Sequence, residues 1–190
     1  AAKSAAVAAA ETAFTKYASA FVLATLKGDT KAARKAAADA KADAALTALA
    51  AKVQDLSDLC AALDKADAAR TAALEELKDG KEQSFETSKG QKKGVVTRVT
   101  ADEISIAVTQ QGVNATLPVK IADLTPAELK RLAGDFKPET PAEHLAQGIR
   151  ALSAGDTQAA TAELAAAKEH ALAPPYQAKL DEKLLGAVEG

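Results

Sequence analysis

The chain has 190 residues, 48% of them apolar but only 3% aromatic, with neither tryptophan nor methionine. Its 24 basic and 26 acidic residues nearly cancel, so no global charge draws it to nucleic acid or an anionic membrane. No apolar run approaches the ~20 residues of a membrane span, and a soluble chain of one large or two small domains is expected.

Alanine makes up the apolar excess, and an alanine-rich core favours closely packed helices. The start, Ala1-Ala2-Lys3-Ser4-Ala5-Ala6, resembles the small-residue sequence found after a signal-peptidase cut. With no methionine, the chain reads as processed or trimmed. A periplasmic or extracellular location is the expectation, with the cytoplasm as the alternative. The single Cys60 excludes an internal disulfide framework and suits either compartment.

Residues 4–27 carry Val7, Ala10, Phe14, Tyr17, Phe21 and Ala24 at alternating steps of three and four, the spacing of one helical face. Lys27-Gly28-Asp29 ends that helix, with glycine for the left-handed position and aspartate to cap the next helix. That second helix starts near Thr30. Its firmest heptad is Leu46, Leu49, Val53, Leu56, Cys60 and Leu63; Asp67 and Arg70 interrupt it before Leu74 and Leu77, and Asp79-Gly80 ends it. A continuous helix over 30–78 would be ~70 Å long. It either projects as a coiled-coil arm or breaks into two helices within the alanine-rich, weakly anchored stretch 38–52; an arm or a bent arm is the expected case.

Alanine nearly vanishes at Ser84. Four segments, 84–88, 94–100, 103–109 and 114–120, alternate like strands, separated by Lys89-Gly90, Ala101-Asp102 and Gln111-Gly112. They predict an antiparallel meander or small barrel packed on helices. Thr125-Pro126-Ala127-Glu128 signals a short helix with a capping box, ending at Gly134-Asp135, and Thr140-Pro141-Ala142-Glu143 repeats that signal. The helix it opens runs to Ala154 with Leu145, Ile149 and Leu152 on one face. After Gly155-Asp156 a helix runs from Thr157 to about Ala171 with Leu164 and Ala167 inward. Pro174-Pro175 then opens a last helix bearing Leu180, Leu184 and Val188.

Gly28-Asp29-Thr30 aligns with Gly155-Asp156-Thr157 and, at the same offset, Ala32-Ala33 with Ala159-Ala160. Two helical hairpins of one design are expected. The stretch AQGIRALSAGDTQAATAELAAAKEH, within residues 142–184, resembles a tetratricopeptide-type unit: first helix, Gly-Asp turn, second helix. The family's aromatic positions are empty and three tandem copies are missing. The resemblance implies hairpin packing and peptide or protein binding. The β module of residues 84–124, read as GQKKGVVTRVTADEISIAV followed by LPVKIADLTPAEL (which runs on to Leu129), is similar to SH3-like or Sm-like β modules. Sm-like proteins bind RNA through an asparagine after the acidic turn. Asp102-Glu103-Ile104-Ser105 stands there instead, so RNA binding does not carry over.

Few residues carry chemistry. His144 and His170 lie on separate predicted helices, and with one cysteine they make no zinc-type cluster. Cys60 at a core heptad position reads as a small buried residue; a parallel pairing of two copies would instead set Cys60 against Cys60. Gly90-Gln91-Lys92-Lys93-Gly94 lacks the strand-to-helix context of a phosphate loop. Lys89, Lys92, Lys93 and Arg98 form a basic cluster, read as lysines guarding a sheet edge or as an anion contact at Lys92, Lys93 and Arg98. Glu75-Glu76 and Asp55/Asp58 read as solvated helical surface. Tyr176 is a candidate exposed contact.

The expected architecture is α+β, mainly α: a helical hairpin with a long heptad helix (1–80), a small β module (81–124) and a tetratricopeptide-like helical region (125–190). The expected role is a non-enzymatic scaffold without catalytic, cofactor or metal residues. It would bind a protein partner or itself through the seam Leu49, Val53, Leu56, Cys60 and Leu63. The alternatives are a structural subunit of an exported or cell-envelope assembly, and a weak nucleic-acid or polyanion binder through the basic hairpin. Neither a small-molecule substrate nor a nucleic-acid partner is indicated.

Overall fold

Alanine-rich segments fold as helices, several of them opened by a side-chain cap (Asp29, Thr140 and Asp156), and the β-branched middle folds as a sheet. The computed structural model describes residues 2–110 and 113–188. Among them are α1 (Ala2–Leu26), α2 (Thr30–Ala42), a 3-10 turn (Ala44–Leu49) and α3 (Ala50–Glu75). Four strands come next: β1 (Glu82–Thr87), β2 (Gly90–Val99), β3 (Glu103–Gln110) and β4 (Val113–Lys120). The chain continues through α4 (Pro126–Arg131), α5 (Pro141–Ala154), α6 (Thr157–Ala166) and α7 (Ala173–Val188). The fold is therefore α+β and mainly α. The turn expected at Gln111-Gly112 lies outside the described residues.

Two units make up the chain: Ala1–Leu63 with Pro138–Gly190, and Asp64–Lys137. This division differs from the three consecutive regions expected from composition. Helices at the two ends of the sequence bury side chains in one cluster, from Ala10, Phe21 and Ala33 to Leu145, Ala160 and Tyr176. The second half of α3, α4 and the strands share another. Composition along a chain cannot reveal that its ends share a core.

In the helical unit the two Gly-Asp turns have the same geometry. Gly28 and Gly155 both have φ 73°, in the left-handed region where a side chain would be strained. Asp29 N–H donates to Ala24 O and Asp156 N–H to Ala151 O, both at 2.9 Å. The aspartate carboxylates accept from Ala32 N at 2.9 Å and Ala159 N at 3.0 Å, capping α2 and α6. Ala24, Ala33 and Ala40, and their counterparts Ala151, Ala160 and Ala167, are all buried. Helices approach closely there because alanine adds so little bulk. Gly148 marks another close approach: a Cβ on it would come within 3.0 Å of Leu164.

The helix expected over 30–78 does not form a continuous arm; it breaks at Asp43, inside the weakly anchored stretch. Asp43 is extended (φ −79°, ψ 108°) and its carboxylate accepts from Ala45 N at 2.9 Å. It also accepts from the Tyr17 hydroxyl at 3.1 Å. An aspartate that caps the following turn offers the backbone an alternative to continuing the helix. That hydrogen bond, more than burial, raises the Tyr17 pKa.

In the sheet unit the strands run in the order β1-β2-β3-β4, all antiparallel. The sheet curls until the outer edge of β1 meets the segment after β4. Ser88 N–H donates to Asp123 O at 2.8 Å and Thr125 N–H to Glu86 O at 3.0 Å, around a bridge between Thr87 and Leu124. Phe85, Val96, Ile104, Ile106 and Val119 fill the concave side with Leu74 and Leu132. The capping box expected at Thr125–Glu128 is only half made. Thr125 Oγ1 accepts from Glu128 N, but Thr125 N–H is taken by Glu86 and the Glu128 carboxylate is held by Arg131. At Thr140–Glu143, where no strand competes, the reciprocal box is complete.

Candidate functional site

The heptad seam is placed residue by residue. Leu56 is fully buried and Leu49 nearly so, both in the core of the helical unit. Val53, Cys60 and Leu63 are half-buried and pack against that core. The centre of the buried face is turned toward Leu59, Ala62 and Ala66, which the leucine heptad omits. A globular helix buries a stripe wider than the two positions of a coiled-coil seam. Leu49 and Leu56 are thus used inside the helical unit, and neither can reach a partner without opening the fold. Lys52 continues this packing, donating to Glu11 at 2.7 Å with its ammonium 5.9 Å from the Phe14 ring centroid. Asp67 and Arg70, which interrupt the heptad, pair with each other at 2.8 Å. Beyond them Leu74 is buried in the sheet unit.

The basic hairpin is dispersed. Lys92 stands opposite Phe85 on the concave side, and its ammonium donates to the Pro118 carbonyl at 2.8 Å. Lys93 is on the outer face. A bulge between Val96 and Arg98 takes up Thr97, and because Val99 pairs with buried Ile104, Arg98 is also outward. Both are exposed, but the same face carries Glu82, Glu86 and Glu103, with Glu103 directly opposite Lys120. Lys89 pairs with Asp123 at 3.2 Å. Lys92, Lys93 and Arg98 therefore form no single basic patch. Alternation of β2 separates Lys92 from Lys93, since neighbours in a strand point to opposite sides.

Both histidines are held in the helical unit. His144 Nδ1 lies 2.7 Å from Glu163, joining α5 to α6. His170 is buried, and its Nδ1 accepts from Leu172 N–H at 3.1 Å, so the proton of the neutral ring sits on Nε2, for which no acceptor among the described residues lies at full hydrogen-bond geometry. Burial lowers its pKa, while Asp55 and Asp58 of α3 pull the other way. Asp55 thus has a neighbour in the core that a solvated-face reading misses. Tyr176 is fully buried rather than an exposed contact. Its hydroxyl lies 2.7 Å from Thr25 Oγ1. Thr25 already donates to Val22 O at 2.9 Å, so Tyr176 is the donor. Burial raises the phenol pKa far above its ordinary value. Among the described residues no cluster of three or more His, Cys, Asp or Glu could hold a metal, and no helix is long and apolar enough to cross a membrane.

The exposed large apolar residues lie elsewhere. Val7, on the expected inner face of α1, is 39% exposed, and Leu23 on the same helix is 55% exposed. On α7, Leu180 is buried as expected, but Leu184 is 41% and its neighbour Leu185 67% exposed. The side chain of Val188 lies outside the described residues. On β4, Val113 and Leu117 are exposed. No family model, no curated protein and no solved structure matches the chain.

Proposed function

We propose that the chain is a non-enzymatic scaffold that binds another protein through the outer surface of its helical unit. The observation that carries this reading is the pair of hairpins with matching Gly-Asp turns sharing one alanine-lined core. Hairpins stacked in this way spend their inner faces on each other and leave helix surfaces for partners, as helical-repeat proteins do. The seam residues contribute only their margins, Val53, Cys60 and Leu63. The apolar surface left over is richest at Leu184 and Leu185. Adjacent exposed leucines on one helix are a better docking signal than scattered single ones. The polyanion reading loses support from the mixed charge around Lys93 and Arg98.

The test is affinity capture from the source organism by the purified chain, compared with Leu184→Lys/Leu185→Lys and Lys93→Glu/Arg98→Glu. A partner lost with the leucine variant but retained in high salt is the expected result. Capture that falls steeply with salt and is lost with the charge-reversed variant would replace this reading with polyanion binding.

A further inference from the structure

Among the described residues the outer edge of β4 carries no backbone pairing, and its backbone groups can be assigned. Ile121 N–H donates to Asp102 O at 2.9 Å, continuing the register in which Glu103 stands opposite Lys120. In an antiparallel ladder hydrogen-bonded positions alternate. Val119, Leu117, Ala115 and Val113 therefore turn their N–H and C=O groups toward β3. Lys120, Pro118, Thr116 and Asn114 turn theirs outward. Pro118 agrees with this assignment, since a residue without an N–H belongs on the outward side of an edge strand. Its carbonyl, facing the edge, is the one that receives Lys92 Nζ at 2.8 Å.

One end of the edge is thus closed, with no donor at Pro118 and its acceptor occupied. Lysine and proline are the usual means of blunting an edge. The other end is open. Among the described residues nothing bonds to the outward backbone groups of Asn114 and Thr116, and every residue of β4 except Val119 is exposed. Val113 is 67% and Leu117 37% exposed, and both share a face of the strand with buried Val119.

We propose that β4 pairs with β4 of a second copy, antiparallel about a two-fold axis through Ala115. In that register Asn114 of each copy meets Thr116 of the other and exchanges two N–H···O=C bonds with it. Val113 of each copy stands across from Leu117 of the other, at the closer non-hydrogen-bonded spacing where side chains meet. Every antiparallel register of a strand with its copy is two-fold symmetric, but this one pairs Asn114 with Thr116 and Val113 with Leu117 without using Pro118. Moving the pairing by two residues in one direction sets Pro118 opposite Asn114 and loses a donor. Moving it in the other direction sets Val113 opposite Ala115, so that Val113 and Leu117 no longer meet. At the outer edge of β1 the end at Glu86–Ser88 is engaged by residues 123–125 and the Ser84 carbonyl by Arg131, and a two-fold β4 pair is closed, so association stops at a dimer. This interface belongs to the sheet unit and is independent of the helical surface proposed above.

The experiment is sedimentation equilibrium of the whole chain over a range of concentrations, with amide exchange at Asn114 and Thr116 read in parallel. A concentration-dependent dimer is expected, with those two amides protected only in the dimer. Thr116→Pro removes an outward donor as Pro118 already does, and Leu117→Lys alters only a side chain. Each weakens the dimer by about tenfold or more with unchanged circular dichroism, whereas Leu184→Lys/Leu185→Lys leaves it intact. A monomer at every concentration would overturn the proposal. So would a dimer that resists Leu117→Lys, or one lost instead with the leucine pair of α7.

Discussion

The helical unit buries Ala24, Ala33, Ala40, Ala146, Ala151, Ala160 and Ala167, where the sheet unit buries Phe85, Val96, Ile104, Ile106 and Val119. A buried alanine removes little apolar area from water, so the helical core combines close backbone approach at its alanines with large side chains between them, such as Phe21, Leu56, Leu59 and Tyr176. The sheet core is made of large side chains throughout and has no such division of labour. Helices whose approach is set by alanine are intolerant of added bulk; a β-branched core is intolerant of its loss. The difference also explains the surfaces. The helical unit leaves long side chains standing on α1 and α7, while the sheet unit leaves a backbone edge.

The sharpest test of the sheet core is Phe85→Ala, which should cost about 3–5 kcal/mol, measured as faster amide exchange at Ile104 and Ile106. A loss under about 1 kcal/mol would mean that the sheet is held by its helix rather than by its own core. Next in size is Gly134→Ala, expected to cost about 2 kcal/mol or more through strain and steric overlap. Gly134 has φ +75°, and an added Cβ would lie 2.3 Å from Ala69 O of α3, a clash with backbone that cannot move aside.

The twin turns make a matched pair. Asp29→Ala and Asp156→Ala each remove one N-cap and should each cost about 1 kcal/mol. Tyrosine fluorescence reads both, because the two tyrosines, Tyr17 and Tyr176, belong to the helical unit and there is no tryptophan. Unequal losses would show that equal turn geometry does not mean equal loading.

The smallest effect expected is on pH dependence. The His170 pKa is lowered by burial, so the unfolded chain binds its proton more readily. The contribution of His170 is complete above the unfolded value near 6.5 and is lost as pH falls through the lower folded value. Protonation also turns Nδ1 from acceptor to donor, opposing the Leu172 N–H it now accepts. Wild type should lose more stability than His170→Asn between about pH 7 and pH 5, and equal losses would contradict this account of the site.

Much of the fold is legible in local sequence. Both Gly-Asp-Thr turns, the cap and proline at Thr140-Pro141, the four strands and the buried Leu145, Ile149, Leu152 and Leu164 depend on residues within a few positions of each other. Features that depend on distant partners are not legible. Asp43 breaks a helix partly by meeting Tyr17; Thr125 loses its capping box to Glu86; Tyr176 is buried by Thr25 and its surroundings. Val7 and Leu184 keep the helical period but lie where neighbouring elements do not cover them. The open edge of β4 has one local sign, Pro118, which acquires meaning only once the register is known. The bond from Lys92 to Pro118 matches the use of lysine as an edge guard.

The central claim is that the α3 seam is spent inside the helical unit and that binding uses what remains outside. Urea unfolding of Leu56→Ala, monitored by tyrosine fluorescence at a low-micromolar concentration, tests it most directly. The account predicts a loss of about 2–5 kcal/mol, the cost of emptying a buried leucine site. An unchanged midpoint would contradict it and return Leu49, Val53, Leu56, Cys60 and Leu63 to a partner.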